Sequence, residues 1–206
     1  LVKSVPEGKA VLDRAYSTAK AVAKQEGIKY ERVMVIQDAK YDKTDDKIEV
    51  SGMIDKSVGS ERLAALQKAN DIYRAVVAAT GTENRLDRSG RNSLLPDDDA
   101  KHEKLVQELA AGVLMARQGL PATLSKESQK LIPYWERELK ENPKMVGVIE
   151  RDVNNAVETI DNLIANRKVD YKAIRGQLPP KMITDKAENY SLAADLAKLP
   201  SIDTKE

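Results

Sequence analysis

The sequence predicts an α+β fold that is predominantly helical, with a small sheet that contains a β-hairpin. Apolar residues recur at a helical period over most of the chain. Between residues 32 and 51, a β-branched run and a strictly alternating segment favour strands instead. Aromatic residues are scarce, with seven Tyr, one Trp and no Phe. The core must therefore be built mainly from aliphatic side chains, which is common in helix-rich proteins.

The composition excludes several classes of site and location. The 206 residues, 41% hydrophobic and 33% charged, suit one globular core or one domain with a tail. There is no Cys, which excludes disulfides and thiolate zinc sites, and the single His102 excludes a metal site with two histidines. A net charge of +1 gives no overall attraction for nucleic acid. Since neither a membrane span nor a signal peptide is visible, we expect a cytoplasmic protein; its start at Leu1 suggests a piece of a longer one.

The first half of the chain is expected to form a helix, a hairpin and a second helix. Residues 6–26 repeat apolar positions at a helical period, and Gly27 suits the left-handed end. Residues 32–37 and 47–51 read as the arms of the hairpin, with turn chemistry over residues 43–46. Ser60 then caps a helix that ends near Ala79.

The second half of the chain is expected to contain three longer helices. After a polar loop over residues 81–98, one helix runs from about residue 100 to Gln118, with the aspartates at 97–99 placed favourably at its start. Ser125 caps the next helix, which Pro133 should kink or divide. Asn142 and Pro143 open the last long helix, to about Asn166. Irregular chain follows through residue 180, and then a short helix over 185–198.

Five segments occur in an order that resembles one known family. They are the hairpin from Tyr41 to Ile48, Thr80-Gly81 followed by Arg85-Leu86-x-Arg88, Leu105-Val106-x-Glu108-Leu109, Tyr134-Trp135 followed by Leu139-Lys140-Glu141, and residues 156–163. Together they resemble the zincin-like metallopeptidase domain of ArdC-type antirestriction proteins. The resemblance implies an N-terminal helix over 1–29, a zincin-like domain over 30–166 and a basic, partly irregular extension over 167–206.

The residues at the family's metal site differ in this chain. The family carries His-Glu-x-x-His just before Thr-Gly, and counting back from Thr80 puts Arg74, Ala75 and Ala78 at the first histidine, the general base and the second histidine. A cation and two methyl groups neither bind zinc nor accept a proton. Glu103 and Glu108 are both candidates for the third ligand. The resemblance therefore implies a chain without metal or cofactor that is not an enzyme.

Arg74 itself allows two interpretations. If it occupies the former metal position, its guanidinium is placed to pair with Glu103 or Glu108 across two helices, which would replace the bridge made by a metal. The alternative is an ordinary solvated arginine on a helix face.

Other residues could contact nucleic acid. One cluster is Arg85, Arg88 and Arg91, for which a polar loop balanced by Glu83 and Asp87 is the preferred interpretation. The better candidates lie in the basic tail: Arg167, Lys168, Lys172, Arg175 and Lys181. We expect His102 at the surface, and we expect Tyr134 and Trp135 to pack in the core rather than to stack on bases.

These observations favour a non-enzymatic accessory or scaffolding protein of a mobile element, related to antirestriction proteins, that binds DNA or another protein. One alternative is a structural helical interaction module, which would lack a hairpin beside the helices over 60–79 and 100–118. Another is an enzyme that uses carboxylates and a hard metal such as Mg²⁺ near residues 97–99. Residues 1–29 are too few for the family's separate domain that binds single-stranded DNA.

Overall fold

The computed structural model describes residues 8–88 and 99–176. These residues form a mainly helical α+β fold with a small mixed sheet, as the sequence predicts. The elements are α1 (Gly8–Glu26), β1 (Lys29–Val33), β2 (Lys40–Asp42), β3 (Lys47–Ser51), α2 (Glu61–Thr80), α3 (Asp99–Ala116), α4 (Lys126–Glu141), α5 (Lys144–Ile164) and α6 (Tyr171–Gly176). In the part of the chain described, no helix is long and apolar enough to cross a membrane.

Helix α2 lies at the centre of the fold. It packs against α1, α3, α5 and the sheet. Apolar residues occupy almost all of its faces, so it is buried nearly all round rather than along one stripe. Ala69, Ile72, Val76 and Val77 are fully buried. Because Lys68 and Arg74 are buried on this helix, these two cations must find polar partners inside the protein.

The sheet is formed around β3, which pairs in parallel with β1 and antiparallel with β2. Ile48 and Val50 are fully buried. The predicted turn over residues 43–46 is confirmed, but it joins β2 to β3. The prediction that residues 32–37 form the first arm was wrong, because β1 ends at Val33 and residues 34–36 leave the sheet for solvent.

The predicted helix starts are confirmed at two serines and corrected elsewhere. The Ser60 and Ser125 hydroxyls accept hydrogen bonds from the third residue of their helices. Helix α4 runs through Pro133 undivided, and Trp135 just after the proline is buried. Asn142 does not cap α5, because its side-chain amide donates to Glu138 instead.

The segment after α5 is more ordered than the sequence suggested. Residues 171–176 form the short helix α6, whose first turn is capped when the Asp170 carboxylate accepts a hydrogen bond from the Ala173 amide at 2.9 Å. The predicted helix over 185–198 lies outside the described residues, as do Asp97 and Asp98.

Candidate functional site

A buried ion pair joins α2 to α3. The Arg74 Nη1 atom donates to Glu108 Oε2 at 2.8 Å and to the Thr123 carbonyl at 2.8 Å, while Nη2 donates to the Asp71 carboxylate. The other Glu108 oxygen accepts a hydrogen bond from the Ser125 amide at 3.3 Å. Arg74 is 8% exposed and Glu108 is 5% exposed. The guanidinium therefore connects α2, α3 and the segment that enters α4.

This geometry decides between the two interpretations of Arg74. The predicted pairing is confirmed, with Glu108 as the partner, and the solvated alternative was wrong because the guanidinium is buried. Ala75 is buried and Ala78 is half-buried on the same helix. Burial raises the pKa of Asp71 to about 6, although the Arg74 charge acts to lower it.

A second buried arginine closes the C-terminal end of α2. Arg88 forms a two-pronged pair with Glu103, with Nε to Oε2 at 3.0 Å and Nη2 to Oε1 at 2.8 Å. Its Nη1 and Nη2 atoms also donate to the Thr80 hydroxyl and the Val77 carbonyl. A Cβ atom at Gly81 would lie 2.5 Å from Arg88 Nη2. The Thr-Gly pair therefore leaves room for this guanidinium and gives it an acceptor.

A third buried arginine links the hairpin to two helix ends. Arg85 Nη1 and Nη2 bind the two oxygens of Asp46 at 3.0 and 2.8 Å, and Nε binds Glu26 at 3.0 Å. Nη1 also donates to the Ala79 carbonyl at 3.1 Å. The pKa of Asp46 is lowered: burial opposes this change, but hydrogen bonds from Arg85 and Tyr41 outweigh it. Arg85 thus fixes the turn of the hairpin against α1 and α2.

The prediction that Arg85 and Arg88 contact nucleic acid was wrong. They are 2% and 3% exposed, and their nitrogens are already occupied by carboxylates and carbonyls. The preferred alternative, a polar loop balanced by Glu83 and Asp87, also missed the partners, which come from distant segments. These two arginines stabilise the fold and present no charge to a ligand.

The basic tail divides into exposed and anchored residues. Three of the predicted contacts are exposed: Arg167, Lys168 and Lys172. Arg175 is half-buried, and its Nη1 donates to the carbonyls of Glu83 at 3.0 Å and Arg85 at 2.7 Å. It holds α6 on the turn after α2. Two further predicted contacts, Arg91 and Lys181, lie outside the described residues.

His102 is buried, which contradicts the expected surface position. It is 3% exposed, with Nε2 3.9 Å from Glu138 Oε1 and the ring 6.3 Å from that of Tyr134. It lies one helical turn before buried Val106, a spacing that could have predicted its burial. Trp135 packs in the core as predicted, and its indole N–H donates to the Lys101 carbonyl at 2.9 Å.

Within residues 8–88 and 99–176, no group of three or more His, Cys, Asp and Glu side chains is arranged to hold a metal ion. The carboxylates nearest to Arg74 instead serve its guanidinium. Chemically, the carboxylates of this region neutralise three buried arginines around α2.

Comparison with known proteins supports the fold. No family model and no curated protein sequence matches the chain. Among solved structures, the metal-free antirestriction protein ArdC from plasmid R388 matches with a TM-score of 0.57 at 20% identity, over 73% of this chain and 52% of that chain. The Mn(II)-bound structure of ArdC matches with a TM-score of 0.56.

The chain has the fold of ArdC. This confirms the resemblance to ArdC-type proteins, and the zincin-like character of the domain stays a prediction. The chain spans about half the length of ArdC. At 20% identity the likeness establishes the fold, so the activity of this chain must be argued from its own residues.

Proposed function

We propose that this chain is a non-enzymatic pseudo-zincin, an accessory or scaffolding protein of a bacterial mobile element that is related to antirestriction proteins and binds a DNA or protein partner. The observation that carries the proposal is the buried ion pair between Arg74 and Glu108. The link to antirestriction rests on the ArdC fold and on the plasmid origin of ArdC.

The chemistry of these side chains argues against a metal at this position. A guanidinium stays protonated in proteins and offers no lone pair to a cation. Its charge is already paired with Glu108, so a divalent cation beside it would meet repulsion and compete for the same carboxylate. Ala75 and Ala78 add no donor atom. Five positions, Arg74, Ala75, Ala78, Glu103 and Glu108, thus form the proposed remnant of the metal site.

The contacts also favour one of the two candidate glutamates. Glu103 pairs with Arg88, whereas Glu108 pairs with Arg74, the residue at the position of the family's first histidine. We therefore propose Glu108 as the counterpart of the family's third ligand. We also propose that the chain divides into an N-terminal helix (1–29), a pseudo-zincin domain (30–166) and a basic extension (167–206).

Direct measurement of metal binding and proteolysis tests this function. Isothermal titration with MnCl₂ and ZnCl₂ should show no saturable site, and a fluorescent casein substrate should remain uncleaved beside a thermolysin control. Stoichiometric metal binding together with cleavage that a chelator abolishes would overturn the proposal. Both metals are used because ArdC has a Mn(II)-bound structure, whereas zincin-type sites ordinarily hold zinc.

The alternative of a helical interaction module unrelated to zincins predicts no hairpin beside the central helices. The structure instead packs β2 and β3 against α2. Together with the ArdC fold, this favours the pseudo-zincin interpretation. For the alternative of a carboxylate enzyme, Asp97 and Asp98 lie outside the described residues.

A further inference from the structure

A groove of about 660 Å³ lies where the first turns of α1 and α2 meet the ends of β1 and β3. Three basic side chains line it: Lys9, Arg32 and Arg62. Two carboxylates, Asp13 and Glu61, line it as well. The groove is thus built from four separate segments and carries more positive than negative charge.

The Arg32 guanidinium is held in place without a carboxylate partner. Its central carbon lies 4.5 Å from the centre of the Tyr16 ring, in a cation–π contact. The Tyr16 hydroxyl in turn donates to the Ser51 carbonyl at 2.6 Å. Arg32 also lies over Gly52, where a Cβ atom would come 2.9 Å from Arg32 Nε. Arg32 also forms a side-chain hydrogen bond with Tyr16, and the remaining N–H groups of the guanidinium are available to a ligand.

Among the described residues, the three basic side chains of the groove have no ion-pair partner. Across residues 8–88 and 99–176, no carboxylate lies within 4.0 Å of the basic nitrogens of Lys9, Arg32 or Arg62. Asp13 and Glu61 face the same space but form no ion pair with them. This contrasts with the three buried arginines around α2, each of which has a carboxylate partner.

A further cation stands behind Arg32. Lys68 is 9% exposed, and its Nζ donates to the Ser51 carbonyl at 3.4 Å, the same oxygen that Tyr16 uses. Burial lowers the pKa of Lys68, and the Arg32 charge acts in the same direction. The Asp71, Asp38 and Asp55 carboxylates act to raise the same pKa, and Lys68 does not line the groove, so its charge supplies no ligand contact there.

We propose that this groove binds the phosphate groups of single-stranded nucleic acid. A basic groove that follows a phosphate backbone is the usual way in which proteins hold such strands, and arginine N–H groups match phosphate oxygens in pairs. Free nucleotides carry the same phosphate chemistry. The inference rests on the proposed function, of which it specifies the DNA partner and the contact surface.

The test is fluorescence anisotropy with a labelled oligo-dT of about fifteen nucleotides, titrated at several salt concentrations. Three phosphate contacts on a single strand predict a slope of log affinity against log salt near −2, or roughly a 20-fold loss between 50 and 200 mM salt. Arg32→Gln and Arg62→Gln should each reduce that slope by about 0.7. Lys144→Gln, an exposed lysine on α5 that does not line the groove, is the matched control and should leave the slope unchanged.

Competition by adenosine triphosphate distinguishes the two sources of phosphate. If adenosine triphosphate displaces the oligonucleotide at a concentration similar to that of the oligonucleotide, the groove is a phosphate site whose ligand is a mononucleotide. Failure to displace it, with the Arg32 and Arg62 effects intact, would support a strand. Because both arginines are exposed, thermal melts should show that the variants remain folded.

Two results would contradict the proposed binding groove, and they have different consequences for DNA binding by the protein. If Arg32→Gln and Arg62→Gln bind as tightly as the wild type while a triple Gln variant of Arg167, Lys168 and Lys172 does not, DNA binding stands and the groove is wrong. If no oligonucleotide or nucleotide binds at low salt, both the groove and the DNA partner are excluded, and the pseudo-zincin retains a protein partner.

Discussion

Replacing Arg74 by methionine should destabilise the fold by about 3–5 kcal/mol, because it leaves a buried carboxylate without its cation. The Glu108 side chain is only 2% exposed, and after the substitution it would keep only the Ser125 amide at 3.3 Å. The Thr123 carbonyl would lose its donor as well. Methionine retains much of the arginine stem, so loss of packing should contribute little.

The double variant Arg74→Met, Glu108→Leu separates charge from packing. When both members of a buried pair are replaced by well-packed apolar residues of similar size, the unfolding free energy is often equal to that of the wild type or higher by about 1–4 kcal/mol. Urea unfolding followed by circular dichroism and Trp135 fluorescence measures each free energy. For the single variant, a loss of 3 kcal/mol corresponds to a fall in melting temperature of roughly 6–12 °C.

Two outcomes would refute this reasoning. A single variant within about 0.5 kcal/mol of the wild type would mean that Glu108 is adequately solvated without Arg74. A double variant as unstable as Arg74→Met alone would mean that packing, rather than the unpaired charge, causes the loss.

Three further predictions concern the groups around α2. Arg85→Gln should cost about 3 kcal/mol or more in urea unfolding, because it removes a buried cation that holds two carboxylates. Gly81→Ala should cost about 1–3 kcal/mol by displacing Arg88, whereas Gly147→Ala, in the exposed interior of α5, should stabilise by about 0.5–1 kcal/mol. Asp71 has a folded pKa of about 6 against an ordinary value of 3.8, so its folded state binds more protons between these values. The unfolding free energy of the wild type should therefore fall by about 2 kcal/mol relative to Asp71→Asn as the pH rises from about 4 to 6.

Each of these predictions has a contrary outcome. An Arg85→Gln variant as stable as the wild type would show that the hairpin does not depend on this anchor. Equal effects of alanine at Gly81 and Gly147 would show that Arg88 moves aside freely. A constant difference in stability between Asp71→Asn and the wild type across this pH range would place the Asp71 pKa near its ordinary value.

The local elements and the ArdC-type fold could be predicted from the sequence. Helix periods, the serines at positions 60 and 125, and the turn over 43–46 act over a few residues, so spacing alone reveals them. The Arg74 partner was narrowed to two glutamates because a resemblance fixed the helix pair that brings them together. In the structure the partner of Arg74 is Glu108, because Glu103 pairs with Arg88.

The burial of the other arginines could not be predicted in the same way. Arg85 meets Asp46 at a separation of 39 residues and Glu26 at 59, and a single sequence shows charges without showing which of them meet. The parallel pairing of β1 was hidden for a related reason, because a strand's direction depends on the crossover that follows it. The basic groove likewise becomes visible only once distant segments are brought together.

A lost metal site at Arg74 and Ala78 is best tested by metal binding to the double variant Arg74→His, Ala78→His. It restores two imidazoles one helical turn apart and releases Glu108 as the third ligand. We expect titrated Zn²⁺ to bind this variant saturably and to raise its melting temperature, whereas the wild type should show neither effect. Saturable Zn²⁺ binding by the wild type, or a folded double variant that binds no Zn²⁺, would contradict the claim that Arg74 and Glu108 stand where the metal once did.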